Sequence, residues 1–230
     1  MMKNIERIKG GKLIRSVRDW KIAKAIKIMK SLKNIDMLIM TEHPMMFGCY
    51  KEKFQTPLMF GIDSGSNDLV ECALKLGAYP SRRIYLSIHP SQEQLHPIIY
   101  ATKKGNIEPI ELLIEYGANI EYKTPNGNTP LTIAVLNGNY KLVKYMVEKG
   151  VSPNIKTKTG NSPFIICKQK IQEIEGLIDI LNKKEKTSED QELIKINRKL
   201  IDRIKKGKAQ KDIERIYELL IEETEPEYMV

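Results

Sequence analysis

Cysteine is scarce in this chain. Cys49, Cys72 and Cys167 lie far apart and are odd in number, which excludes a disulfide framework and a paired-cysteine zinc site and points to a reducing compartment. Long apolar runs are also missing: nothing approaches the ~18 residues of a membrane span. Lys21, Lys24, Lys27 and Lys30 interrupt the segment where an export signal would carry its apolar core. A soluble, cytoplasmic chain is the expectation, or one in a host cytosol if it is an effector. His43, His89 and His96 form no HExxH and have no suitably spaced Cys, so no metal ligand set is written here. "GIDSGSND" follows a helix start and lacks the strand and Lys of a phosphate loop; it reads as a helix turn. Cys72 and Cys167 fall on apolar helix positions, where a buried thiol is commoner than a nucleophile. No catalytic residue, metal or cofactor is therefore expected.

What is present is a core and an uneven charge. The 230 residues are 41% hydrophobic, enough to build an interior. The net charge of +9 resides in the first 33 residues, where eleven Lys and Arg oppose only Glu6 and Asp19. Such a segment suits phosphates or an acidic protein, and Lys at every third position equally solvates an outer helix.

Internal repetition is the stronger signal. Thr129, Pro130, Ala134, Gly138, Asn139 and Gly150 each fall 33 residues after His96, Pro97, Ala101, Gly105, Asn106 and Gly117. Thr56, Pro57, Gly65, Gly77 and Ala78 precede the second copy by 40, so seven extra residues lie in the connection after Gly77. A fourth copy opens at Ser162, Pro163 and Cys167 and then degenerates.

Each landmark has a physical role. Thr or Ser before Pro starts a helix: the hydroxyl caps a free N–H, and Pro occupies the first turn, where its missing N–H costs nothing. Gly138 suits the sharp turn into a second helix, whose buried face carries Leu142, Val143, Met146 and Val147. Gly150 closes that helix in a left-handed conformation, with Val151, like Ala78 and Ala118 before it, packing back. "PNGN" at 125–128 has the Asn-Gly signature of a tight hairpin. Each unit thus reads as turn, helix, turn, helix.

On "TPLTIA", "HPIIYA", "TPLMFG" and "SPFIIC", with "LNGN", "KKGN" and "DSGS" at the helix turn and "EKGVSPN", "EYGANIE" and "KLGAYPS" at the second helix's end, the chain resembles an ankyrin-repeat protein. The resemblance implies an all-α ankyrin-repeat solenoid. Its array spans 51–171, preceded by a basic N-terminal capping repeat and extended loop at 1–50 and followed by a degenerate last repeat and capping helices at 172–230. Three substitutions depart from the pattern and mark local irregularity: Gly61 for Ala, Glu93 for the turn Gly, and Ile171 for the helix-turn Gly. Residues 12–32 read as a cap with Trp20 at its turn and Ala25, Ile28 and Met29 inside. The Met-rich 33–50 segment reads as an extended loop or a binding element. Leu193, Ile196, Leu200 and Ile204 line one apolar helix face, and Ile213, Ile216, Tyr217 and Leu220 another.

The resemblance further implies a concave surface that binds another protein without chemistry. Phased on the family, the outward positions are Gln55, Asp63 and Ser64 in the first clear unit, and Gln92, Lys103, Lys104 and Lys123 in the second. In the third they are Pro125, Asn126, Asn128, Leu136, Asn137 and Lys156, and in the fourth Lys158, Asn161, Gln169 and Lys170. With Arg83 these make the middle basic, and Leu136 is an apolar residue at an outward place, a mixture that suits an acidic partner with an apolar anchor. Lys103, Lys104, Leu136 and Asn137 hold equivalent places and are expected to share one strip. The function expected is a non-catalytic interaction module, an adaptor or an effector and inhibitor. The alternative is nucleic-acid or nucleotide binding through the basic cap and middle, for which Tyr100 and Tyr122 are the nearby stacking candidates.

Overall fold

The computed structural model describes residues 15–16, 21–32, 34–36, 39–44, 50–81, 84–85, 94–187 and 191–224. Trp20, Cys49, Arg83, His89, Gln92, Glu93, most of the basic 1–33 run and the acidic end of the chain lie outside them. The fold divides into two compact units, Met1–Ile120 and Glu121–Val230.

The first unit opens with α1 (Ile22–Lys30), which buries Ala25 and Met29 four residues apart and leaves Lys21, Lys24, Lys27 and Lys30 exposed. Two helix pairs follow: α2 (Pro57–Ser64) with α3 (Asn67–Lys75), and α4 (Pro97–Lys104) with α5 (Ile107–Glu115). The first helices α2 and α4 pack together, and α1, α3 and α5 stack as a second layer. Thr56 caps α2 by accepting from the Met59 N–H at 3.3 Å, and Pro57 takes the first turn. His96 stands at the same place before α4 and is buried, but its side chain makes no cap bond.

Glycine places the turns. Gly65 and Gly105 end the first helices at φ 69° and 82°, and Gly77 and Gly117 end the second at φ 88° and 89°, a region that costs residues with a Cβ roughly 1–2 kcal/mol. Gly77 and Gly117 each donate to the carbonyl three residues back, while Ala78 and Ala118 donate five back and are themselves buried. The last carbonyls are thereby satisfied and the exit sealed. Gly61 does not make its helix irregular, contrary to expectation. It sits inside a regular α2 because a Cβ there would lie 3.0 Å from the Val70 backbone N and 3.2 Å from the Leu69 carbonyl carbon. The glycine lets α2 and α3 close.

The all-helical expectation holds for the paired helices, while the connections carry short strands. The 33–50 segment is not wholly loop: β1 (Ile39–Pro44) pairs antiparallel with β2 (Tyr50–Gln55), Ile39 opposite Gln55 and Pro44 opposite Tyr50. The seven extra residues after Gly77 fall in a connection that includes a shorter ladder, β3 (Ile84–Tyr85) with β4 (Gln94–Leu95). Both ladders lead directly into a first helix, as hairpin fingers.

The second unit starts with two tight fingers of the same design. Thr124 donates to the Asn128 carbonyl at 2.9 Å and Thr157 to the Asn161 carbonyl at 3.0 Å, with Gly127 and Gly160 at φ 78° and 83°. From the first finger rises α6 (Pro130–Leu136), held by a reciprocal capping box between Thr129 and Thr132. Gly138, at φ 63°, turns the chain into α7 (Tyr140–Glu148). From the second finger rises α8, capped by Ser162, whose hydroxyl accepts from the Ile165 N–H at 3.2 Å. With Ile171 where Gly138 stood, nothing turns it, and α8 runs unbroken from Pro163 to Thr187.

A continuous α8 leaves α7 without the second helix that the next repeat would lay beside it. The C-terminal helix fills that place. After α9 (Gln191–Lys206), helix α10 (Lys208–Glu223) packs on both α7 and α8, burying Ile213, Ile216 and Leu220. Tyr217 stacks on Phe164 with centroids 5.2 Å apart. The Cys167 thiol donates to the Ile213 carbonyl at 3.4 Å, and the Arg215 guanidinium lies 5.3 Å over the Tyr140 ring. Among the described side chains of α9, Ile201 is buried; Ile196 and Leu200, expected inside, are exposed, Ile204 is half-buried, and the Leu193 side chain lies outside the described residues. Contacts with α8 and α10 select a different line of the same apolar helix.

Candidate interaction surface

The outward positions divide between the two units. In Met1–Ile120, Asp63 and Ser64 end α2, and Lys103 and Lys104 end α4. Asp63 and Lys104 are brought together: the Lys104 Nζ lies 2.6 Å from Asp63 Oδ1, which also accepts a hydrogen bond from the Tyr100 hydroxyl. The ammonium sits 5.3 Å from the centroid of the Tyr100 ring. Burial, and then the bond to Asp63, holds the Tyr100 phenol well above the usual tyrosine range. This cluster ties the first helices of adjacent repeats, and Asp63 offsets the charge of Lys104 within the middle that was expected to be basic. Tyr100 is 7% exposed, too covered to act as a stacking platform for bases. Ser64 turns its hydroxyl back onto the Gly61 carbonyl at 3.0 Å. Lys103 is exposed, Gln55 ends β2, and Arg83 and Gln92 lie outside the described residues.

In Glu121–Val230 the fingers stand side by side. The Lys158 N–H donates to the Asn126 carbonyl at 3.1 Å, bonding one finger to the next. Thr157 and Lys158 approach so closely that a Cβ on Gly127 would lie 2.8 Å from the Lys158 backbone N. Asn128 and Asn161, half-buried, close their hairpins through their carbonyls. Lys123, Pro125, Asn126, Lys156 and Lys158 are exposed at the finger level. Leu136 is 43% exposed at the end of α6 with Asn137 exposed beside it, while on α8 Gln169 is exposed and Lys170 half-buried. From Tyr122 to Gln172 eight Lys face one acid, Glu148. Lys123, Lys156 and Lys158 give the finger level of this unit a basic character.

Residues 58–157 match the family profile of Ankyrin repeats (3 copies). Residues 58–157 carry ankyrin repeats. The match covers the helix pairs that the glycines and Thr-Pro starts define. No curated protein matches the chain. Ankyrin repeats generally act in protein–protein interaction. Among the described residues no group of three His, Cys, Asp or Glu could hold a metal, and no described helix is long and apolar enough to cross a membrane. Cys72 and Cys167 are buried and free of disulfides. Burial raises the Cys72 thiol, against the lowering effect of Lys30 and Lys75, and pushes Cys167 up to about 12. Both rest as thiols, the unreactive form.

Sequence reasoning missed the part played by Tyr100. Its signal was one turn away, since Tyr100 precedes Lys104 by four residues and so shares its helix face; the Asp63 partner lies in another repeat and has no local signature.

Proposed function

We propose that this ankyrin-repeat chain is a non-catalytic interaction module, an adaptor or an inhibitor that occupies a target protein, and that it recognises an acidic surface through the basic fingers of its second unit. The observation that carries this reading is the bonded finger pair at 124–128 and 157–161, which sets Lys123, Lys156 and Lys158 at one exposed level. Rigid presentation matters because a lysine fixed by its backbone loses less freedom when it meets a carboxylate than one on a mobile loop. Pro125 on the first finger and Leu136 at the end of α6 are exposed apolar residues of the same unit, and in such a combination charge guides encounter and the apolar residue slows release. In the first unit, taken by itself, Lys103 is exposed and Lys104 is balanced by Asp63. The test is affinity capture with the full chain as bait, followed by amine cross-linking of the purified complex. Cross-links from Lys123, Lys156 or Lys158 to an acidic segment of one protein support the proposal. Cross-links confined to Lys141, Lys144 and Lys149, on and just after α7, would move the site to the second-helix side.

A further inference from the structure

Helix α8 continues past the point where its repeat should turn, and the extension carries large aliphatic side chains that the packing of this unit leaves exposed. Glu173, Leu177, Ile180 and Lys184 are spaced four, three and four residues apart, which aligns them along one face of a helix. All four are exposed, Leu177 by 55% and Ile180 by 53%. Two large aliphatic side chains on the outside of a 25-residue helix leave apolar surface in water where the same helix could have placed polar groups. Gly176 lies beside them. It is exposed, and a Cβ added there would meet nothing within 4 Å, so no contact inside this unit calls for a glycine at a position where it costs a helix roughly 1 kcal/mol relative to alanine.

The order of the four residues identifies the occupant. Glu173 and Lys184 are equidistant from the peptide bond between Ile178 and Asp179, and so are Leu177 and Ile180. A two-fold axis through that point superposes the stripe on its own reverse: Leu177 meets Ile180 of a second helix, and Glu173 meets Lys184, twice over. Two-fold contacts require this kind of self-complementarity, because the same patch must serve both partners. Gly176 would let the two helices approach closely.

We propose that the exposed face of α8 is a homodimer interface, in which two copies of this chain pack antiparallel about the Ile178–Asp179 bond. The apolar residues form its centre and the two Glu173–Lys184 pairs close its ends. A contact built mainly from one helix per partner falls at the small end of specific interfaces, so the dimer dissociates in the micromolar range. It uses neither finger and stands apart from the proposed partner site.

The experiment is sedimentation equilibrium of the full chain from micromolar to hundreds of micromolar, with circular dichroism to verify helix content. The parent chain is expected to dimerise, and Leu177→Asp with Ile180→Asp to be monomeric throughout. Glu173→Lys alone, or Lys184→Glu alone, sets like charges at both ends and weakens the dimer by about tenfold or more. The double exchange Glu173→Lys with Lys184→Glu restores the parent affinity, an outcome that no general effect on folding reproduces. A parent chain that stays monomeric at the highest concentration overturns the proposal and leaves the stripe to a different protein. A dimer unaffected by either charge change also overturns it, because the contact is then elsewhere.

Discussion

The third and fourth repeats begin alike and end differently. Each starts with a Thr-led finger closed at glycine, Gly127 or Gly160, then a hydroxyl cap at Thr129 or Ser162 and a proline in the first turn. Nine residues beyond the cap they part. Gly138 takes a left-handed conformation and reverses the chain, whereas Ile171 keeps helical angles and α8 continues for another sixteen residues to Thr187. One position thus decides whether a repeat makes two short helices or one long one. Because the repeat that fails to turn leaves a vacancy, the chain supplies α10 from its far end to cover α7. A cap of this kind follows from the need of a terminal repeat to shield the apolar face of its neighbour.

The most severe way to break the difference is Gly138→Ile. A β-branched residue at φ 63° is strained, and its branches would press on the Ile213 side chain, which already lies 3.6 Å from a Cβ there. We expect a loss of about 3 kcal/mol or more in urea unfolding. The reverse exchange is milder. Ile171→Gly weakens α8 by about 1 kcal/mol, but α10 already fills the second-helix place, so hydrogen exchange should still report one continuous helix. A new turn at residue 171, with α10 released, would show that glycine alone dictates the topology.

The two fingers sharpen the comparison at smaller scale. Gly127→Ala combines left-handed strain with a 2.8 Å approach to the Lys158 backbone and should cost about 2 kcal/mol. Gly160→Ala meets nothing within 4 Å and should cost only the strain, about 1 kcal/mol. Equal losses in thermal unfolding would mean that the fingers are not held together in solution.

The smallest effect belongs to Cys167, which stands where the third repeat has Ala134. Burial pushes its thiol up to about 12, above the ordinary value of about 8.5 that it regains on unfolding. A group whose pKa is raised by folding contributes stability that is fully present below the unfolded pKa and lost as pH rises toward the folded one. Stability should therefore fall between about pH 9 and 12, and Cys167→Ala should shallow that fall. An unchanged alkaline slope would mean that α10 does not keep this thiol from water.

The starts and stops of the repeats were legible because they are local: a hydroxyl before proline and a glycine after a helix act through their own backbone. Ile171 was legible as a departure, although its result, a continuous helix covered by α10, depends on a segment forty residues later. Gly61 looked like a flaw because its reason, the approach of Val70 and Leu69, lies in the next helix. The face of α9 was misassigned since the helix carries more than one apolar line, and only α8 and α10 decide between them. The charge of the surface was read from Arg83 and the Lys residues; Asp63 was placed on the same surface, but its pairing with Lys104 is supplied by tertiary contact alone.

The central claim is that the fingers bind and the helices behind them hold the fold. It is tested most directly by the affinity of a captured partner for the Lys123→Glu, Lys156→Glu and Lys158→Glu triple variant, measured beside the thermal midpoint. We predict a loss of about a hundredfold or more in affinity, carried partly by slower association, with the midpoint unchanged within about 2 °C. Undiminished affinity in a stably folded variant would contradict it.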